Sequence, residues 1–164
     1  MSLTVSTLIS ADGVRSDPMT WVGDLFDADA VRESLARLRE ADAFLMGRGS
    51  YDYFQPAWAR GGNPYLDAIT AMPKYVFSAT LGGTDWANTT VVSTDAVEAV
   101  RAMRGRRLVM YGFGRLARSL LAAGLVDELE FGVQPVVLEP RQPLRLAGVD
   151  RRTTGVVTLR YNGA

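Results

Sequence analysis

The amino-acid sequence predicts an α/β fold with a mixed, mostly parallel sheet, flanking helices and an antiparallel C-terminal edge. Short apolar segments alternate with segments of helical periodicity through most of the chain. Glycines stand where apolar segments give way to helical ones, as in "LMGRGSY" and "MYGFGRL". The last two apolar segments follow each other without an intervening helix, which favours an antiparallel edge.

The first half of the chain supplies the opening elements of this pattern. Residues 3–10, "LTVSTLIS", are rich in β-branched and aliphatic residues and run into the turn "ADG", which predicts a strand. Asp27 is placed to cap a helix with a repeating apolar face. "AFLMG" predicts a short buried strand, and "RGSYDYF" predicts the beginning of a second helix.

The second half continues the alternation. Asn63 and Pro64 predict the N-cap and first residue of a helix that ends before Pro73. "KYVFSAT" and "TTVVST" predict strands, and Thr94 is expected to cap the helix "DAVEAVRAM". "RLVMYG" predicts a strand that leads through "GFGR" into a helix ending at Gly124. "ELEFGVQPVVL" is expected to form one strand, and "GVVTLRYN" predicts the last.

Composition limits the classes of function. A length of 164 residues, with 48% hydrophobic and 22% charged residues, predicts one domain over residues 1–164. Eighteen basic residues balance 18 acidic ones, so we expect a small-molecule partner rather than nucleic acid or a membrane. The chain has no cysteine and no histidine, which excludes disulfides and most zinc sites, and no metal is expected. No signal sequence or membrane span is predicted, so we expect a cytoplasmic protein.

Three strand ends carry residues suited to a phosphate or a ribose. In "MYGFGRL", Gly112 and Gly114 would let the backbone approach a pyrophosphate, and Arg115 adds a positive charge. A tight turn without a ligand is an equal alternative, because "GFGR" departs from G-x-G-x-x-G. In "LMGRGSY", Ser50 either donates to a phosphate or caps the helix, and spacing alone favours the cap. Ser78 and Thr80 could contact a ribose or its phosphate, although hydroxyls at strand ends are common.

Taken together, these segments resemble a known group of proteins. The order of "TVSTLISADG", "DAFLMGRGSYDYF", "MPKYVFSATL", "LVMYGFGRLARSLLAAGLVDELEFGVQPVVL" and "TGVVTLRY" resembles the dihydrofolate-reductase-like superfamily. It is similar in particular to the group related to the C-terminal reductase domain of the bifunctional riboflavin-biosynthesis deaminase-reductase. The similarity spans nearly the whole chain, and "LMGR" and "GFGRLARSLLAAGLVDEL" are among its most specific parts.

The resemblance implies an oxidoreductase that transfers hydride from NAD(P)H to a small heterocyclic, pterin-like or pyrimidine-like substrate. Proteins of this kind include 5-amino-6-(5-phosphoribosylamino)uracil reductase and dihydrofolate reductase. NADPH is the implied cofactor, with NADH and FMN as open alternatives. The implied cofactor-binding residues are Leu8, Ile9, Gly47, Arg48, Ser50, Ser78, Gly112, Phe113, Gly114, Arg115 and Leu116. A homodimer is also implied, in which "LEFGVQPVVL" pairs or packs across the interface; a central strand of one subunit is the alternative.

The sequence departs from the group's pattern at three places. Phe113 stands where relatives usually carry a second glycine, and "EPRQPL" follows "PVVL" in place of a glycine-containing turn. Ala79 follows Ser78 where many relatives carry a basic residue. The alternative function is therefore a non-catalytic ligand-binding or dimeric scaffold protein with a degenerate cofactor site, or a flavin-binding relative.

The substrate side offers fewer signals. Asp12 and Asp24 are the acids nearest the expected nicotinamide end, and Trp21 could stack on a flat ring. The alternatives are a turn residue for Asp12 and a core residue for Trp21. No catalytic side chain is predicted, because in hydride transfer the cofactor carries the chemistry and the protein supplies orientation.

Overall fold

The structure is a computed structural model that describes residues 2–103 and 105–163. Within the described residues, the strands are β1 Ser2–Ser10, β2 Ala43–Gly47, β3 Lys74–Phe77, β4 Thr89–Val92, β5 Arg107–Tyr111, β6 Glu128–Gln134, β7 Val136–Leu138, β8 Arg141–Arg151 and β9 Val157–Gly163. The helices are α1 Pro18–Trp21, α2 Ala28–Glu40, α3 Arg48–Trp58, α4 Pro64–Ala71, α5 Ala96–Arg101 and α6 Arg115–Ala122. A short 3-10 helix covers Gly23–Leu25.

The strands form two sheets. One sheet has six strands in the order β4-β3-β2-β5-β1-β6, and β1, β2, β3, β4 and β5 pair in parallel. The other sheet has the order β7-β8-β9, and its pairs are antiparallel. The predicted α/β class, with a mostly parallel sheet and antiparallel C-terminal strands, is confirmed.

The chain folds as two compact units. The first contains the described residues up to Thr7 together with Phe26–Glu130, and the second contains Leu8–Leu25 and the described residues from Phe131 onward. The expectation of one domain over residues 1–164 stays a prediction. The longest described helix, α2, has 13 residues. None of the described helices combines the length and apolar character that crossing a bilayer requires.

The central strands β2 and β5 of the first unit are buried on both faces, which explains their nearly continuous apolar sequences. On one face Leu45 and Met110 belong to a buried cluster with Leu120 of α6. On the other face Phe44 and Val109 belong to a second cluster, which includes residues of α2, α3 and α4. Alternate residues of the same strand serve opposite cores, because successive side chains of a strand point to opposite faces.

Two of the predicted helix caps, Asp27 and Asn63, are confirmed. The Asp27 carboxylate accepts from the backbone N–H groups of Asp29 and Ala30, and the Asn63 side chain caps α4 in the same way. The prediction that Thr94 caps the next helix is wrong. Asp95 is the cap, and its carboxylate accepts from the Glu98 N–H at 2.9 Å. Aspartate is a stronger cap than threonine, and here it lies directly before the helix.

Lys74 is fully buried at the start of β3 and closes the C-terminal end of α4. Its Nζ donates at 2.8–2.9 Å to the backbone carbonyl oxygens of Ile69, Thr70 and Met72. The three ammonium donors therefore each have an acceptor, which is what a buried cation needs. Burial lowers the pKa of Lys74 to about 8.

The C-terminal strands differ from the prediction in two ways. "ELEFGVQPVVL" is not one strand: β6 and β7 lie in different sheets, with Pro135 between them. Proline has no N–H to donate to a strand ladder, so it separates the two. The 11-residue strand β8 was not predicted, and "EPRQPL" contains the turn that joins it to β7.

The β6 strand is an edge of the six-stranded sheet and carries exposed apolar side chains. Phe131 is 46% exposed and Val133 is 38% exposed. Exposed apolar edge strands are suited to pairing with another chain. The homodimer expected through this segment stays a prediction.

Candidate functional site

A cleft in the first unit lies where the carboxyl ends of four parallel strands meet the beginnings of three helices. Its volume is about 590 Å³, within the range of small-molecule sites. The lining residues are Gly47, Arg48, Gly49, Ser50, Phe77, Ser78, Ala79, Thr80, Val92, Ser93, Thr94, Ala96, Met110, Gly114, Arg115 and Leu116. Ligands of open α/β sheets bind at this edge.

Two of the helices that begin at the cleft have no side-chain cap. Gly47 is the N-cap of α3 and Gly114 is the N-cap of α6, and neither position supplies a side-chain hydrogen bond. In contrast, Asp27, Asn63 and Asp95 cap α2, α4 and α5 with their side chains. The first-turn N–H groups of α3 and α6 therefore receive no hydrogen bond from a cap side chain, and a helix N-terminus of this kind can bind an anion.

The interpretation of Ser50 as a helix cap is wrong. The α3 helix begins at Arg48, so Ser50 is its third residue, and the cap position belongs to Gly47. Ser50 instead lines the cleft. Because Ser50 lies inside the first turn, its hydroxyl does not serve as the N-cap and can contact a ligand.

Glycines allow the close packing of this edge. Gly112, between β5 and α6, has a backbone φ of +90°, a conformation that residues other than glycine rarely adopt. A Cβ atom on Gly47 would lie 3.5 Å from Leu116 Cβ, so β2 and α6 approach each other closely. The "GFGR" turn thus has a steric function in the fold as well as a place beside the cleft.

Arg48, which lines the cleft, forms an ion pair within its own helix through a bifurcated hydrogen bond. Its Nε donates to both carboxylate oxygens of Asp52, at 2.8 and 2.9 Å. Its Nη1 lies 3.5 Å from Thr80 Oγ1. The guanidinium is therefore oriented by Asp52 with one edge toward the hydroxyl groups that follow β3.

The segment after β3 is a tight turn organised by Ser78. Ser78 Oγ accepts from the backbone N–H groups of Thr80 and Leu81, at 3.3 and 3.1 Å. Thr80 Oγ1 lies 3.5 Å from the same oxygen. Two hydroxyl groups and Arg48 are thus collected at one corner, which suits the several acceptor oxygens of a phosphate.

Arg115, which also lines the cleft, is the first residue of α6 and is exposed. Among the described side chains, none forms an ion pair or a hydrogen bond with its guanidinium. A full positive charge and an uncapped helix start therefore occupy the same place. Both attract an anion.

Phe113 does not line this cleft. Its ring packs against the core cluster that contains Leu45 and Met110. The guanidinium carbon of Arg118 lies 5.9 Å from the centre of the ring. The bulky residue in the "GFGR" turn is therefore accommodated by the core instead of by the cleft.

Several predicted cofactor residues meet at the cleft and others lie elsewhere. The predicted residues that line it are Gly47, Arg48, Ser50, Ser78, Gly114, Arg115 and Leu116. Gly112 and Phe113 belong to the adjoining turn, and Leu8 and Ile9 belong to the second unit. The sequence analysis missed Ser93 and gave Thr94 a different role. The available signal was that both residues follow strand β4. A single sequence does not specify where that strand lies in the sheet.

The substrate candidates all lie in the second unit. Asp12 accepts from Ser10 Oγ at 2.6 Å and from the Leu138 N–H at 3.0 Å. These hydrogen bonds hold the pKa of the Asp12 carboxyl below its usual range. Trp21 is buried and donates from Nε1 to the Ser16 carbonyl at 2.8 Å. Asp24 is exposed in the short 3-10 helix, and the substrate role of these residues stays a prediction.

Metal ligands are not gathered anywhere in residues 2–103 and 105–163. The described residues contain no group of three or more acidic side chains, histidines or cysteines that could hold an ion. The groups that converge on the cleft are instead arginines, hydroxyls and backbone N–H donors. The chemistry of the cleft is therefore that of an anion site.

The fold is of the α/β class, with a mostly parallel sheet and a cleft at the carboxyl ends of its strands, as the sequence predicted. The chain belongs to the family of the RibD C-terminal domain, which it matches over residues 1–143. Membership in this family supports a reductase-like function. Over 144 residues the chain is 29% identical to the uncharacterized protein YyaP of Bacillus subtilis strain 168, covering 76% of each chain.

Solved structures share the fold. A proposed riboflavin biosynthesis protein from Shewanella sp. PV-4 has a TM-score of 0.66 at 17% identity, covering 100% of this chain and 99% of that one. The riboflavin biosynthesis reductase Rib7 of Saccharomyces cerevisiae has a TM-score of 0.52 at 13% identity, covering 99% and 90%. A pyrimidine reductase-like protein from Corynebacterium diphtheriae has a TM-score of 0.51 at 14% identity, covering 99% and 92%.

Proposed function

We propose that the protein is an NAD(P)H-dependent reductase that holds NADPH in the cleft. The observation that carries this proposal is the convergence of two uncapped helix N-termini on one cleft lined by Arg48 and Arg115. A phosphorylated dinucleotide carries several anionic groups, and the cleft is lined by two cationic side chains. Its volume of about 590 Å³ suits a ligand of this class.

The residues divide between the two phosphate regions of the cofactor. Arg115 and the first N–H groups of α6 would hold the pyrophosphate. Arg48, with Ser78 and Thr80, would hold the phosphate that distinguishes NADPH from NADH. When bound, the cofactor supplies the hydride, and the cleft supplies binding and orientation.

The substrate class follows from the relatives and not from the cleft. The yeast structure is named a riboflavin biosynthesis reductase, and the Corynebacterium structure a pyrimidine reductase-like protein. We infer a small heterocyclic, pterin-like or pyrimidine-like substrate for this chain. The position of Phe113, packed on the core, favours a cofactor site over the non-catalytic scaffold that its bulk suggested.

Titration of the purified protein with NADPH, NADH and FMN, followed by thermal unfolding, tests the proposal. A ligand that binds the native state raises the apparent melting temperature, and the rise grows with the ratio of ligand concentration to dissociation constant. We expect NADPH to raise it, NADH to raise it less, and FMN to leave it unchanged. Stabilisation by FMN alone would identify a flavin protein, and no shift with any of the three would contradict the assignment of the cleft.

A further inference from the structure

The ion pair with Asp52 offsets the charge of Arg48, whereas Arg115 has no such partner among the described side chains. Asp52 Oδ1 and Oδ2 both accept from Arg48 Nε, at 2.8 and 2.9 Å. Arg48 lines the cleft, whereas Asp52 lies one helical turn further along α3 and does not. The corner formed by Arg48, Ser78 and Thr80 therefore has a formal charge of zero from this pair.

Asp52 has two separate effects on Arg48: its hydrogen bonds orient the guanidinium, and its charge offsets that of the guanidinium. Because the carboxylate occupies Nε, the Nη groups of Arg48 are left for Thr80 and for a ligand. A neutral acceptor at position 52 would keep a hydrogen bond to Nε and leave this orientation in place. The negative charge of Asp52 is a separate property, and it acts on any anion that the corner receives.

The two properties have unequal consequences for a bound phosphate. The side chains of Arg48 and Asp52 are 43% and 52% exposed, and an exposed ion pair of this kind orders its partners only weakly. A phosphate monoester carries close to two negative charges at neutral pH, so a carboxylate one turn away repels it throughout its stay. The orientation survives replacement of the carboxylate by a neutral acceptor, whereas the repulsion does not.

We propose that Asp52 sets the preference between NADPH and NADH by offsetting the charge of Arg48. Asp52 lowers the gain from the 2′-phosphate, so the cleft accepts both cofactors instead of demanding NADPH. Asp52 is a specificity-determining residue that acts through Arg48 and does not itself contact the cofactor. The inference rests on the proposed function, since it requires a dinucleotide in this cleft.

Dissociation constants of NADPH and NADH for the unmodified protein and for Asp52→Asn test this inference. We expect the variant to bind NADPH about fivefold more tightly at low salt, and to bind NADH within twofold of the unmodified protein. At 0.5 M NaCl the gain for NADPH should shrink, because salt screens exposed charges. A purely structural role of Asp52 would give no such salt dependence.

Two further variants complete the design. Asp29→Asn removes the same charge from another exposed helix ion pair, that with Arg32 on α2, and should leave both constants unchanged. Asp52→Ala removes charge and acceptor together, and should favour NADPH less than Asp52→Asn does. Far-ultraviolet circular dichroism checks that each variant is folded.

The outcomes separate this inference from the proposed function. If neither cofactor binds the unmodified protein, both proposals are overturned. If both bind and Asp52→Asn leaves their ratio unchanged, or weakens NADPH, the inference on Asp52 is overturned and the cofactor site stands. A rise in NADPH affinity that is equal in Asp29→Asn would also overturn it, since the effect would then be one of net charge.

Discussion

The two arginines that line the cleft stand in opposite electrostatic settings. Arg48 is paired with a carboxylate of its own helix, whereas Arg115 has no ion-pair partner among the described side chains and stands at an uncapped helix start. In the proposed cofactor site, Arg115 would attract an anion by its charge, whereas Arg48, whose charge is offset, would depend more on the neighbouring hydroxyl groups. General affinity for phosphate and discrimination between phosphates would then rest on different residues.

The largest effect is expected at Arg115, the cleft arginine that has no ion-pair partner among the described side chains. Arg115→Ala should weaken NADPH and NADH together, by about 30-fold, because it removes a charge-assisted contact to the pyrophosphate that both cofactors share. Fluorescence titration of the reduced cofactors measures both constants. Arg32→Ala on α2 is a control at an exposed arginine outside the cleft. Equal constants in Arg115→Ala and the control would remove Arg115 from the site.

A smaller effect, which distinguishes NADPH from NADH, is expected at Arg48. Arg48→Ala should weaken NADPH by about tenfold and NADH by less than twofold, since its contact is confined to the extra phosphate. The same titration measures the ratio of the two constants. If Arg48→Ala raises both dissociation constants by the same factor, Arg48 and Arg115 do not hold different phosphates of the cofactor as proposed.

The hydroxyl groups of Ser78 and Thr80 are expected to contribute less to NADPH affinity than Arg48 does. Ser78→Ala removes the acceptor of two backbone N–H groups, and should lower the free energy of unfolding by about 1 kcal/mol. NADPH affinity should fall about threefold, because the turn that places Thr80 loosens. Urea unfolding and cofactor titration measure the two effects separately. Thr84→Ala, which alters a hydroxyl outside the lining residues, is the comparison for NADPH affinity.

The smallest effect concerns Phe113. Phe113→Leu keeps an apolar side chain against the core and should change NADPH affinity by less than twofold, because the ring does not line the cleft. Fluorescence titration checks this value. A gain of tenfold or more would show that the ring obstructs the cofactor and would support the scaffold alternative.

Local signals made much of the fold predictable. Asp27 and Asn63 cap the helices that directly follow them, and such contacts depend on a few neighbouring residues. Strand ends could be matched to helix starts at Gly47 and Gly114 for the same reason. In contrast, β8 has mostly exposed side chains and is defined by backbone pairing with β7 and β9. Its sequence therefore carries no strong apolar alternation.

The site was predictable as a set of strand ends, but not in its charge balance. Gly47, Arg48, Ser78 and Arg115 meet because parallel strands end at one edge. The pair of Arg48 with Asp52 has the i, i+4 spacing of a helix ion pair and could have been found from that spacing. The contribution of Ser93 required the position of β4 in the sheet order.

Lys74 also makes the folded state measurable by chemical labelling. The sequence contains a single lysine, and its Nζ is buried against three carbonyl oxygens at the end of α4. Acylating reagents reach this amine only when the end of α4 opens, so the labelling rate of the Lys74 peptide reports the population of the opened state. Mass spectrometry of one peptide would thus follow local opening without any introduced probe.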